Sequence, residues 1–145
     1  MVSMMIAGCA APQDPTLARA PAQVGIVNHT GNFIYSASVD GYGGGPMARW
    51  GAGHAGICCA SIYAVWHPGI KVLVEWDMPE GHQHIWKQKM VEVEKYDAPS
   101  DIYMHFFPND EVRVVVSNWA GYGRGHPIVP PVKPGNAAKE KSTRK

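Results

Sequence analysis

DIYMHFFPNDEVRVVVSN, Asp101 to Asn118, places two alternating apolar runs on either side of the polar break Pro108-Asn109-Asp110. This pattern predicts a β-hairpin. Side chains of a strand repeat every second residue, so Ile102, Met104 and Phe106 share one face with Val112, Val114 and Val116. That face is expected to be core. Tyr103, His105, Phe107, Arg113 and Val115 lie on the other face, a mixed surface expected to be only partly covered. The rest of the chain reads as further strands packing against this pair, followed by loop and tail.

Composition agrees with a turn-rich β domain. The 145 residues include 16 glycines and 12 prolines, with 10% aromatic and only 17% charged residues, and no stretch carries a long helical apolar period. Charge is unevenly spread. Up to Val132 there are 8 basic and 11 acidic residues, and from Lys133 onward 5 and 1, giving a body near −3 and a tail near +4. Nucleic acid demands a basic face on the folded part, so it is not an expected partner.

Three regions are predicted. Residues 1–22 read as a truncated lipoprotein signal, lipobox and flexible tether, 23–128 as the β domain, and 129–145 as a disordered basic Pro/Lys tail. Ile6-Ala7-Gly8-Cys9 has the form of a lipobox, with small residues before a cysteine that accepts the lipid. Cys9 is therefore the expected lipidation site. Ala10 follows it in place of the aspartate associated with inner-membrane retention, which points to the outer membrane, facing the periplasm. No transmembrane span is expected.

Within the domain, Val24–His29 and Phe33–Val39 are predicted to form a hairpin across the turn His29-Thr30-Gly31-Asn32. The glycine-rich loop Asp40 to His54 lacks the Walker spacing and its Lys-Ser/Thr, so it is not a phosphate cradle. Two readings of it stand: a crossover with Trp50 tucked into the core, or a recognition loop presenting Tyr42, Arg49 and Trp50, residue types that commonly anchor interfaces. Gly56–Tyr63 is a strand containing Cys58-Cys59. Neighbouring strand residues face opposite ways, so the pair is expected to be two small, buried or half-buried hydrophobes, with an oxidised vicinal pair as the alternative.

Ile70–Asp77 shows clean alternation, with Ile70, Val72, Val74 and Trp76 inward. Trp86–Lys95 is a charged strand, exposed or at an edge, whose apolar phase slips at Met90-Val91, where a bulge is expected. A second glycine-aromatic-arginine loop, Trp119 to Pro127, adds Trp119, Tyr122 and Arg124 to the candidate partner-binding residues. Seven histidines suggest metal, and His82-x-His84 supplies two imidazoles, but no third ligand is fixed by spacing. No Gly-x-Ser-x-Gly elbow is present, and Asp110-Glu111 falls in the predicted hairpin turn. Neither an enzyme, a metal nor a cofactor is expected.

Taken together, Asn28-His29-Thr30, Gly43-Gly44-Gly45, Cys58-Cys59, Trp66-His67-Pro68-Gly69, Pro108-Asn109-Asp110-Glu111-Val112 and Gly125-His126-Pro127 resemble the bacterial lipoproteins of domain-of-unknown-function family 3304. The resemblance covers Gly25 to about Pro127. Members are often encoded beside type VI secretion components and lipase effectors, which implies an envelope-anchored immunity protein with a secreted lipase as partner. The family defines no catalytic residues to carry over. The full expectation is thus an all-β, single antiparallel β-sandwich, immunoglobulin-like, of about seven strands with long Gly-rich loops. Its expected role is to bind and neutralise a type VI secretion phospholipase effector; the alternative is a structural or assembly lipoprotein of the envelope.

Overall fold

The computed structural model describes residues 17–135; the expected lipidation site Cys9 lies outside them. Among the described residues eight strands form two sheets: β1 (Arg19–Asn28), β2 (Ser36–Val39), β3 (Tyr42–Gly43), β4 (Ile57–Tyr63), β5 (Lys71–Asp77), β6 (Trp86–Glu92), β7 (Asp101–Phe107) and β8 (Glu111–Ser117). The first sheet has the order β4-β1-β7-β8 and the second β3-β2-β5-β6. No helix among the described residues is long and apolar enough to cross a membrane.

The β7–β8 hairpin forms in the expected register, with Ile102 opposite Val116, Met104 opposite Val114 and Phe106 opposite Val112. Pro108–Asp110 make a short 3-10 turn in which Asn109 (φ 64°) and Asp110 (φ 58°) are left-handed, a conformation that Asn and Asp tolerate better than most residues. The shared face enters a core that both sheets supply: Ala22, Val24 and Ile26 of β1 and Ala60 and Ile62 of β4 meet Ala37, Val72, Val74, Trp76 and Val91. Trp76 and Phe106 touch across it, ring centroids 5.3 Å apart. The arrangement is sandwich-like. Trp76 Nε1 is buried there without a hydrogen-bond partner among the described residues.

Several expectations are corrected. The 24–29/33–39 hairpin does not form, because β1 and β2 belong to different sheets. Asn28, fully buried, makes the corner between them: its Oδ1 accepts from the Thr30 amide (3.0 Å) and hydroxyl (2.7 Å), while its Nδ2 donates to the carbonyls of Asn32 (2.7 Å) and Ala48 (3.1 Å). These bonds satisfy the backbone locally and turn the chain out of one sheet into the other. β1 begins at Arg19, inside the stretch read as tether, because Arg19 to Ala22 pair with Tyr63 to Ala60.

The sheets are not wholly antiparallel, since β1 and β7 run parallel from Val24↔Ile102 to Asn28↔Phe106. Over this paired stretch both strands are covered on both faces, the setting in which parallel pairing is usual. These orders differ from the immunoglobulin arrangement, and an eighth, two-residue strand arises because Asp40 (φ 50°) and Gly41 (φ 82°) close a tight hairpin between β2 and β3. β6 has no bulge at Met90-Val91. Its pairing with β5 is continuous from Lys71↔Glu92 to Asp77↔Trp86, and Met90 is an apolar residue on the solvent face, 57% exposed.

β6 is nonetheless an edge strand, as expected. Beyond it the chain crosses to the first sheet, where the Glu94 amide donates to the Val114 carbonyl (3.0 Å) and Arg113 pairs with both carboxylate oxygens of Glu94 (2.8 and 2.6 Å). That crossing covers part of the β8 edge. On the opposite edge Cys58 and Cys59 are joined as a vicinal disulfide, the alternative reading, with Cys58 exposed and Cys59 half-buried. The register Ala22↔Ala60 then Val24↔Ile57 leaves both cysteines opposite Gln23. Such a bulge breaks the strict alternation of a regular strand, which is what the expectation of opposed side chains overlooked.

Candidate functional site

The two glycine-rich loops meet on the outer face of the first sheet. Residues 51–56 continue the line of β4 along β1: the Asn28 amide donates to Gly51 O (2.8 Å), Gly53 N to Ile26 O (3.3 Å) and Gly56 N to Val24 O (3.3 Å). The second loop joins through Gly121 N to Gly53 O, 2.9 Å. A Cβ on Gly121 would lie 2.4 Å from Val27 Cγ2, so this glycine serves close backbone approach. Under the loops a second core forms from Val27, Ala55, Tyr103, Val115 and Ile128. The outer face of the β7–β8 hairpin is therefore more fully covered than expected.

The six candidate partner-binding residues do not share one element. Tyr42, 50% exposed, sits on β3 in the second sheet. Arg49 is exposed. Trp50 is neither core nor free: half-buried, it donates its amide to Thr30 O (3.1 Å), and its ring lies over Gly31, whose added Cβ would stand 3.6 Å from Cζ2. Trp119 (54% exposed), Tyr122 (60% exposed) and the exposed Arg124 occupy the second loop together.

Beneath that loop runs a chain of three imidazoles that the sequence reading did not bring together. His29 Nε2 is 2.8 Å from His105 Nδ1, His105 Nε2 is 2.8 Å from His126 Nε2, and His126 Nδ1 is 2.9 Å from the Trp119 carbonyl oxygen. A carbonyl only accepts, so His126 carries a proton on Nδ1, and in the neutral ring its Nε2 accepts. His105 must then donate from Nε2 and accept at Nδ1, and His29 must donate from Nε2. One backbone oxygen sets three tautomers.

His105 is fully buried, and burial pushes its pKa down to about 2, with the fields of His126, His29 and Arg113 acting the same way. Burial, then Arg113 and His126, likewise lower His29. His29 and His105 are thus neutral near pH 7. Phe107 stacks on His29 (4.2 Å) and Tyr103 meets His126 edge-on (4.8 Å). A tetrahedral metal between two such nitrogens would hold them about 3.3 Å apart, farther than the 2.8 Å found here. Chemically the chain is a fastener that ties the Trp119 loop to the sheet. Its sequence signal was His105 on a face it shares with Tyr103 and Val115; only the β1–β7 register, Val27↔His105, carries His29 to it.

A second polar pair lies on the other sheet. Asp77, fully buried, accepts from the Ile85 amide (3.0 Å) and pairs with His84 Nδ1 at 2.5 Å, while Tyr35 meets the His84 ring edge-on at 5.0 Å. This resembles the orienting half of a hydrolytic triad. Among the described residues no serine or threonine hydroxyl is hydrogen-bonded to His84. His82 is exposed and does not join His84, and no group of three or more His, Cys, Asp or Glu among the described residues is placed to hold a metal.

Fold and site define an all-β domain of two four-stranded sheets whose outer face is roofed by glycine loops fastened through buried histidines. Residues 27–114, more than half of the chain, match the family described as "Protein of unknown function (DUF3304)", and the protein belongs to that family. The match includes His29, Cys58-Cys59, Asp77, His84 and His105, and stops short of the Trp119 loop. No curated protein and no solved structure matches the chain.

Proposed function

We propose that this protein is a non-enzymatic, periplasm-facing outer-membrane lipoprotein, anchored through Cys9, that binds and neutralises a type VI secretion phospholipase effector. The observation that carries a protein-binding role is the exposure of Trp119 and Tyr122 on a loop whose backbone is tied down at Gly121 and His126. Aromatic anchors held in place before binding lose little freedom on association. Arg124 lies on the same loop and extends this recognition surface; Arg49 and Trp50, on the first glycine-rich loop, and Tyr42, on the second sheet, are further contacts in this reading. The toxin class rests on the resemblance to family 3304 lipoproteins.

The test is affinity capture from envelope extracts containing the strain's secreted proteins, followed by mass spectrometry and a lipase assay. Near-equimolar recovery of a lipase that loses activity on adding the protein is expected, with Trp119→Ala/Tyr122→Ala abolishing recovery. Capture of envelope machinery alone would replace this reading by the structural or assembly lipoprotein. Undiminished neutralisation by the folded double variant would move the interface elsewhere.

A further inference from the structure

A cavity of about 180 Å³ opens between the sheets where β4 turns towards β5. At roughly 30 Å³ per water it has room for about six waters. Its inner wall is apolar, made by Ile62, Ile70, Val72 and Val93, all part of the main core. Its mouth is polar and cationic. Arg19 stands there opposite Tyr63 in the β1–β4 ladder, its guanidinium carbon 3.7 Å above the centre of the Tyr63 ring and one Nη1–H donated to Ser61 O at 3.3 Å.

Tyr63 is itself braced, accepting at its carbonyl from the Tyr96 hydroxyl (2.5 Å) and meeting His67 edge-on (4.8 Å). The Arg19 guanidinium is therefore held in one plane, with one of its five N–H groups engaged among the described residues. Lys71 lines the same mouth and makes no hydrogen bond or ion pair among the described residues. Asp40 is the lining carboxylate, and one of its oxygens accepts from the Leu73 amide (2.8 Å). Among the lining residues two cations stand with one carboxylate, and Glu92, opposite Lys71 in the β5–β6 ladder and accepting from the Gly69 amide (3.1 Å), lies beside the mouth, so the cation aimed over the apolar chamber is the Arg19 guanidinium.

We propose that this cavity is a binding site for a small amphipathic monocarboxylate. The planar Arg19 fork takes the carboxylate, as guanidinium groups do in bidentate pairs; Lys71 adds charge, and a short apolar tail lies against Ile62, Ile70, Val72 and Val93. The dimensions suit a short-chain or single-ring acid and leave no room for a long acyl chain. This site is separate from the aromatic loop surface, so it goes beyond the proposed function.

The test is NMR titration of the purified full chain, without any partner, using hexanoate and benzoate as probes and hexanol and hexylamine as controls. Saturable shifts are expected at Ser61 to Val72 and Tyr96, with a Kd of about 1 mM or tighter for at least one acid, and no saturation by the amine. Lys71→Gln and Arg19→Gln should each weaken acid binding about tenfold; Lys71 is exposed, so its variant serves even if the Arg19 variant folds poorly. Absence of saturable shifts with both acids, equal binding of hexanol and hexanoate, or wild-type affinity in Lys71→Gln would overturn the site. None of these outcomes bears on capture of a lipase.

Discussion

His105 shows how much one buried polar residue can commit. Both of its ring nitrogens are used, and both partners are histidines whose own protons are placed by the arrangement. Replacing it by alanine empties the site and leaves His29 Nε2 and His126 Nε2 without their partner. His105→Ala should lose about 3 kcal/mol of stability, read as a lower urea midpoint. Nitrogen-15 NMR of the imidazoles offers a direct check on the tautomers: Nδ1–H at His126 and Nε2–H at His105 and His29. Any other pattern would mean that the Trp119 carbonyl does not set the chain. Gly25 makes the opposite kind of residue-scale demand. A Cβ there would stand 2.5 Å from the Tyr103 ring, between the two parallel strands. Gly25→Ala should cost about 1–3 kcal/mol through overpacking, measured by the same denaturation.

Among the elements, the 119–128 loop is the one whose placement depends most on contacts remote in sequence. It is held by Gly121 on Gly53, by His126 on His105, and by the burial of Ile128. Gly121→Ala would drive a methyl into Val27 and lift the loop. Trypsin should then cut after Arg124 several-fold faster than in the wild type while the far-ultraviolet circular dichroism of the sheets stays unchanged. An unaltered cleavage rate would show that the loop's hold does not pass through this contact. The same element shows what a linear reading could reach. Its glycines, aromatics and arginine mark a loop, whereas its docking on β1 requires knowing that residues 51–56 already line that strand. The β2–β3 hairpin, by contrast, is marked locally: Asp40-Gly41 is a strong two-residue turn signal at the start of the longer glycine loop.

At the scale of the molecule, the histidine chain couples stability to pH. In the unfolded chain each histidine titrates near about 6.5; in the folded state His29 and His105 are both lowered. The unfolded state therefore binds more protons below that pH, and stability is full above about 7 and declines as pH falls through 6 and 5. Each histidine contributes a slope of at most about 1.4 kcal/mol per pH unit. Urea midpoints at pH 7.5 and 5 should differ accordingly, and His105→Ala should flatten the dependence; an equal slope in both proteins would assign it to other groups. The groups facing the chain are Arg113 from β8 and Tyr103 from β7. By itself, the sequence determined the all-β class, the β7–β8 hairpin and its core face, the inward set of β5 and the edge position of β6, because period-two alternation and turn residues are local properties written in neighbouring side chains. Only the tertiary structure decided that β1 leaves β2 for a parallel place beside β7, that Cys58 and Cys59 share a bulge, and that His29, His105 and His126 meet. Those outcomes depend on register between strands far apart in the chain, which alternation within each strand leaves open.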